Sequence, residues 1–121
     1  MSENQNSKRY DLEERTFQFS KSVALYVRQL PRSNSNLEYS RQVVDSSGSV
    51  GANYIEANES LSKKDFMMRI KICRKEAKES AYWLRLIVER NDEKCSQGGK
   101  KLPAEAIELK KIFSSILEKS E

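Results

Sequence analysis

The stretch KKDFMMRIKICRKEAKESAYWLRLIVER, residues 63–90, decides the fold. It contains neither proline nor glycine, and its apolar residues recur every three or four positions. Phe66, Ile70, Cys73, Ala77, Leu84 and Val88 share one stripe at the helical angle of about 100° per residue. The spacing predicts one long helix, about 42 Å at the standard rise, with this stripe as its core seam. Ser62, followed three residues on by Asp65, reads as its N-terminal cap.

Two further faces lie on the same helix. Lys64, Lys71, Lys75 and Lys78 form a second stripe, with Tyr82 at the same azimuth and Arg85 beside it. Lysines at these spacings repel one another, and Glu76 and Glu79 lie on other sides. Such a stripe suits contact with a phosphate backbone, because each lysine displaces condensed counterions. Tyr82 adds a ring on which a base can stack. The simplest structural alternative is a solvated helix face. A third stripe holds Met68, Ile72, Trp83 and Leu86, roughly 150° from the core seam. Phe17 is off the main apolar stripe of its own helix in the same way. Either the core around this helix is broad, or these residues meet another subunit. Self-association is the favoured reading.

Outward from this segment the chain reads as three more helices. Asp11 with Glu14 suggests a capping box opening a first helix over about 12–29, after a disordered lead-in over residues 1–10. Leu12, Phe19, Val23, Tyr26, Val27 and Leu30 form its apolar stripe, and Pro31 with the following Ser-Asn run ends it. Ser35 with Glu38 suggests the cap of a second helix over about 37–57. The middle of that helix, Ser46 to Ala52, is weak in helix propensity. A loop is one reading. A continuous helix is preferred, because Val43, Ser47, Val50, Tyr54 and Ala57 keep one face, and small residues let a neighbouring helix approach closely. The third helix spans 63–90. A polar loop with Gly98-Gly99 follows, and then a fourth helix over about 103–119 with Ala106, Leu109, Ile112, Phe113, Ile116 and Leu117 inward. Short connections between four helices predict an antiparallel up-and-down four-helix bundle over residues 11–121.

Composition limits the chemistry. The 121 residues include no histidine, two cysteines and four glycines. Lacking histidine, the chain has neither the commonest general base nor the commonest catalytic metal ligand. Cys73 and Cys95 alone do not make a zinc site, and Gly48-Ser49-Val50-Gly51 lacks the rest of a phosphate-binding loop. The expectation is a protein that is not an enzyme and has no cofactor and no metal. The absence of CxxC, of an apolar leader and of a membrane-length apolar run fits a cytoplasmic location away from membranes. The net charge is +4, yet Lys63 to Lys78 alone carry +5, so the positive charge is concentrated in one segment. In the second helix Asn53 and Glu56 lie on one side, with Arg69 or Lys71 as possible partners. They read as a polar clamp fixing helix register.

The run Ser46-Ser47-Gly48-Ser49-Val50-Gly51-Ala52-Asn53-Tyr54-Ile55-Glu56-Ala57-Asn58 resembles the Ser-Val-x-x-Asn-Ile-x-Glu signature of the bacterial four-helix-bundle proteins encoded in intervening sequences of 23S rRNA genes. Tyr54 stands where the signature has Ile. The segments Asp65-Phe66 and Glu76 to Leu84 resemble the same family's third helix, and the likeness runs from about Tyr10 to Leu117. The resemblance implies a bundle that assembles as a ring-like homopentamer. It also implies a relation to accessory proteins of diversity-generating retroelements, which act with a reverse transcriptase and nucleic acid. The family's motif positions carry over as Ser49, Asn53, Glu56 and Glu79, in a structural role. Many members have a Gly-Ser pair in the third helix where this chain has Lys75-Glu76, so its surface there is more charged.

The function expected is therefore an oligomeric binder of RNA or DNA without sequence readout. It would act through Lys64, Lys71, Lys75, Lys78, Tyr82 and Arg85, with Phe17, Met68, Ile72, Trp83 and Leu86 meeting a neighbouring subunit. The alternative is a scaffold or accessory subunit that docks an acidic protein, such as a reverse transcriptase-type enzyme, on the same basic face.

Overall fold

The computed structural model describes the backbone from Glu3 to Glu121 and the side chains from Asp11 onward. Four long helices carry the fold: α1 (Glu3–Val27), α2 (Asn34–Asn58), α3 (Lys63–Arg90) and α5 (Leu102–Ser120). The single turn α4 (Glu93–Ser96) and a 3₁₀ turn at Gln97–Gly99 join α3 to α5. No strand occurs among the described residues. In order around the bundle, α1 packs on α2, α2 on α3, α3 on α5, and α5 returns to α1. Thr16 lies by Gly51 and Ser20 by Gly48, while Ser46 meets Ser80 and Val50 meets Cys73, so α1 and α3 each run antiparallel to α2, as an up-and-down bundle requires.

The ends of the helices differ from the sequence reading in ways that local chemistry explains. Residues 1 and 2 of the expected lead-in lie outside the described residues, but the backbone from Glu3 onward is already helical. Glu3 to Tyr10 contain no Gly or Pro, and extending a helix adds one hydrogen bond per residue fixed. Asp11 is consequently inside α1 rather than at its cap. α1 ends two residues early, at Val27, where Gln29 N–H donates to the Tyr26 carbonyl in a tight turn. The cap of α2 is Ser33, not Ser35: its hydroxyl accepts from Asn36 N–H at 3.1 Å. The earlier serine wins because Asn36 is thereby free to bond inward. Its amide donates to the Pro31 carbonyl and exchanges hydrogen bonds of 2.9 Å with Asn91. This reciprocal amide pair ties the start of α2 to the end of α3. The cap of α3 is Ser62, accepting from Asp65 N–H at 3.1 Å.

α2 runs unbroken through its Ser/Gly segment. Gly51 shows why small residues belong there. A Cβ at that position would sit 3.1 Å from Thr16 Oγ1, so the small residue lets α2 pack closely on the Thr16 side chain of α1. The expected polar loop after α3 is instead partly helical. Asp92 caps it by accepting from Cys95 N–H at 2.8 Å. Gly99 is buried there against the Tyr26 ring, and a Cβ would meet that ring at 2.2 Å. Gly99→Ala gains at most about 1 kcal/mol from reduced chain freedom. The overlap with a buried aromatic ring costs about 1–3 kcal/mol. A denaturant melt should therefore show Gly99→Ala less stable than the wild type.

The core is a continuous column of Leu12, Phe19, Val23, Val43, Val50, Tyr54, Ile70, Cys73, Leu84, Ile87, Leu109 and Phe113. In α3 the buried set is Ile70, Cys73, Ala77, Ser80, Leu84 and Ile87. Ile87 takes the place expected for Val88, and Phe66 is only half-buried. Both changes turn the seam toward α2, its most extensive neighbour, whose Ser46 hydroxyl meets the Ser80 hydroxyl at 2.8 Å. A bidentate ion pair from Arg15 to Glu105, 2.8 Å in both arms, fastens α1 to α5.

Candidate nucleic-acid interface

α3 is covered on one shoulder by α2 and on the other by α5, so only one strip of it faces solvent. Lys64, Lys71, Lys75, Lys78, Tyr82 and Arg85 all lie on this strip and all are exposed. The structure thus brings together the whole basic set that the sequence singled out. The cause is geometric: these residues are centred opposite the buried seam. None of the four lysines has an ion-pair partner among the described residues. Arg85 differs, since its Nε donates to Glu89 at 2.8 Å across one helical turn. Both of those side chains are largely exposed, and a surface pair of this type contributes little stability. Arg85 can exchange it for another anion.

Tyr82 has a defined setting. It is 59% exposed, yet its ring meets Trp83 at 5.1 Å and 77°, an edge-on contact. Trp83 lies in turn 5.9 Å from Tyr39 of α2. Trp83 is half-buried against the core. Of the two readings for it, a broad core or a second subunit, the sequence favours the subunit; here α2 reaches around this shoulder of α3 and packs Tyr39 on the indole, so the broad core accounts for Trp83. Leu86 and Ile72 are likewise half-buried. Met68, 56% exposed, and Phe17, 59% exposed, remain open to solvent. Met68 and Ile72 border a groove with Glu56, Glu59, Leu61 and Arg69. Sequence reasoning missed Leu37, Val44 and Ile55, which are also exposed on α2. Their spacings of seven and eleven residues put them at one azimuth, and that was the available signal.

The polar seam between α2 and α3 is real but uses a partly different set. Asn53 Nδ2 donates to the Ser49 carbonyl and hydroxyl oxygens, each at 2.9 Å, and Arg69 Nη1 donates to Asn53 Oδ1 at 2.9 Å. Arg69 is thus the partner, and Lys71 is not. Glu56 is exposed at the rim of the groove it shares with Met68 and Arg69 of α3, so its charge is not buried. Glu79 is also exposed, while its neighbour Glu76 turns into the seam. Burial pushes the Glu76 carboxyl up, the Ser49 hydroxyl draws it down, and the nearby Glu79 raises it again. A carboxyl whose folded-state value is raised binds its proton more tightly in the fold. Its contribution therefore weakens as pH rises through the carboxylate range.

Other chemistry is sparse. Burial pushes the Cys73 thiol up to about 12, and its Sγ donates to the Val50 carbonyl at 3.4 Å. Cys95 is pushed up by its hydrogen bond with Asp92. Both shifts leave a thiol rather than the reactive thiolate at neutral pH. Among the described residues no group of three or more Cys, Asp or Glu side chains is placed to hold a metal ion. Nor is any helix there long and apolar enough to cross a membrane. A cavity of about 620 Å³ opens at one end of the bundle, floored by Leu12, Tyr54, Phe66, Ile112 and Ile116. The lysine strip takes no part in it.

Comparison with known proteins agrees with this architecture. No curated protein matches the chain. Among solved structures, a crystal structure of a protein of unknown function from the S23 ribosomal protein family of Bacteroides thetaiotaomicron superposes with a TM-score of 0.76 at 26% identity. It covers 88% of this chain and 98% of its own. The sequence model of the 23S rRNA-intervening sequence proteins matches residues 8–115, nearly the full length of the bundle. With the bundle topology, the Ser49–Asn53 seam and this match in agreement, the chain belongs to the 23S rRNA-intervening sequence protein family.

Proposed function

We propose that this chain is a non-enzymatic, self-associating bundle that binds nucleic acid through the phosphate backbone, without reading its sequence. One observation carries the reading. Four lysines without ion-pair partners among the described residues line the single solvent-facing strip of the longest helix. Holding like charges together repels, so the strip is poised to gain from a polyanion. The test is binding of generic RNA or DNA, both single-stranded and duplex, as salt is varied. On a duplex, four lysine–phosphate contacts give a slope of log K against log salt of about −3.6, or roughly a hundredfold loss between 50 and 200 mM. Absence of binding at ~50 mM salt, or affinity indifferent to salt, removes the reading.

An acidic protein is the alternative partner, as for an accessory subunit. Tyr82 favours nucleic acid over it, because an exposed ring amid lysines is a stacking surface. Pull-down from a nuclease-treated lysate separates the two: a protein retained there supports the alternative.

Self-association, in a ring such as a pentamer, is supported by the exposed apolar residues Phe17, Leu37, Val44, Ile55 and Met68. Charge adds to this. Exposed Asp45 and Glu56 on α2, with Glu59 at its C-terminal cap, give that side an acidic character opposite to that of α3. Contact between unlike faces of successive copies closes into a ring when the rotation allows, and a ring would repeat the lysine strip and add avidity. Light scattering should give a mass severalfold above the 14.0 kDa of one chain. Met68→Asp or Phe17→Asp should lower it without unfolding the bundle. A monomer at micromolar concentration would refute self-association. Trp83 is unsuited to this test, since its packing on Tyr39 makes it part of the fold.

A further inference from the structure

We infer that the nucleic acid taken by the α3 face is single-stranded, with one base stacked on Tyr82 at the end of the lysine run. The inference rests on the nucleic-acid reading above and narrows it to one class of ligand.

The first argument is shape. A duplex is read most readily by a helix that enters the major groove, which is about 12 Å wide and admits one helix. α3 does not protrude. α2 and α5 pack along its two shoulders, and Trp83 and Ala81, on either side of Tyr82, are half-buried against the core. The basic strip is therefore a ridge on a broad surface. A flexible strand can lie along such a ridge, whereas a duplex touches it only where its backbone crosses.

The second argument is Tyr82 itself. A duplex offers the Tyr82 ring no base face, because its bases cover one another, and leaves only the hydroxyl to donate to a phosphate. The ring does serve an unstacked base, and every base offers a face, so the contact is tolerant of sequence. The ring is also prepositioned. Trp83 holds it edge-on at 5.1 Å, and Tyr39 backs Trp83 at 5.9 Å. A side chain already held by its neighbours loses less freedom on binding. Cations stand on both sides: Lys78 lies four residues before Tyr82 and Arg85 three after, about 6 Å and 4.5 Å along the axis. The phosphates flanking a stacked base would thus meet Lys78 on one side and Arg85 on the other.

The experiment measures fluorescence anisotropy of the full chain with a labelled 12-nucleotide single strand, an abasic strand of equal charge, and a 12-base-pair duplex. The variants are Tyr82→Ala and Tyr82→Phe. The single strand should bind more tightly than the duplex. Stacking contributes about 1–3 kcal/mol per base, so Tyr82→Ala should weaken single-strand binding by roughly 5- to 150-fold. Duplex and abasic binding should change far less, and Tyr82→Phe should restore the loss, which a merely structural role would not predict. Equal or tighter duplex binding, or a Tyr82→Ala variant that holds the single strand as well as wild type, overturns the inference and leaves the nucleic-acid reading standing. Failure of the wild type to bind any of the three removes both.

Discussion

Replacing Lys71, Lys75 and Lys78 together with Glu should abolish nucleic-acid binding at ~50 mM salt. The three residues are consecutive on the solvent-facing strip of α3 and none is engaged in an ion pair among the described residues. Each lysine accounts for about one unit of the salt slope, so three of the four backbone contacts go at once and repulsion replaces them. The loss should be on the order of a hundredfold or more, because each lost contact compounds with the others. Stability should change little, since surface substitutions away from packed features fall within about 0.5 kcal/mol each. An electrophoretic shift and a thermal melt on the same preparation check both halves. If binding survives in the folded variant, the strip is not the site. If the variant no longer assembles, the strip lies in the subunit interface.

The largest effect on the fold should come from Phe113→Ala. Phe113 is the largest fully buried side chain, inaccessible to solvent, with its ring 5.9 Å from that of Tyr54 on α2. It thus joins α5 to α2 across the bundle. Truncation of a buried Phe costs about 3–5 kcal/mol, part of it for the cavity left behind. That is a large share of the roughly 5–15 kcal/mol that holds a domain together. The melting temperature should fall by about 10 °C or more. A fall of only a few degrees would mean that the bundle end, already open around Tyr54 and Ile112, collapses to fill the gap.

These two predictions rest on different kinds of legibility. The lysine strip was readable in full. Charge, exposure and azimuth agree on a helix whose buried seam is clear, and the strip opposite the seam must face water. Phe113 was readable as inward, but not as the ring that meets Tyr54, because that pairing joins helices 59 residues apart in the chain. The apolar shoulder of α3 was only half legible. Met68 is open, while Trp83 is covered by Tyr39. Both are apolar and near one azimuth, and only the position of α2 separates them.

The polar seam shows the same division. Asn53 read as reaching a neighbouring helix with Arg69 or Lys71 as its partner, and only the packing selects Arg69. Glu56 and Glu76 were not distinguishable, since each carboxylate borders a helix contact, and the packing angle decided which turned inward. The reciprocal Asn36–Asn91 pair left no local trace either, because it joins the ends of two different helices through side chains that each read as an ordinary cap or terminator.

The long helix of residues 63–90 was legible with its termini, most of its seam and its lysine strip from periodicity and a Ser62 cap. Those features depend only on neighbours three or four residues away, and a helix sets such neighbours by its own geometry. The tertiary structure alone decided which apolar residues beside the seam are covered, where the chain around Gly99 makes room for Tyr26, and how Tyr82 is held beside the lysines. Each of these depends on a second helix arriving from elsewhere in the chain. The distance and angle of that arrival are set by packing over the whole bundle.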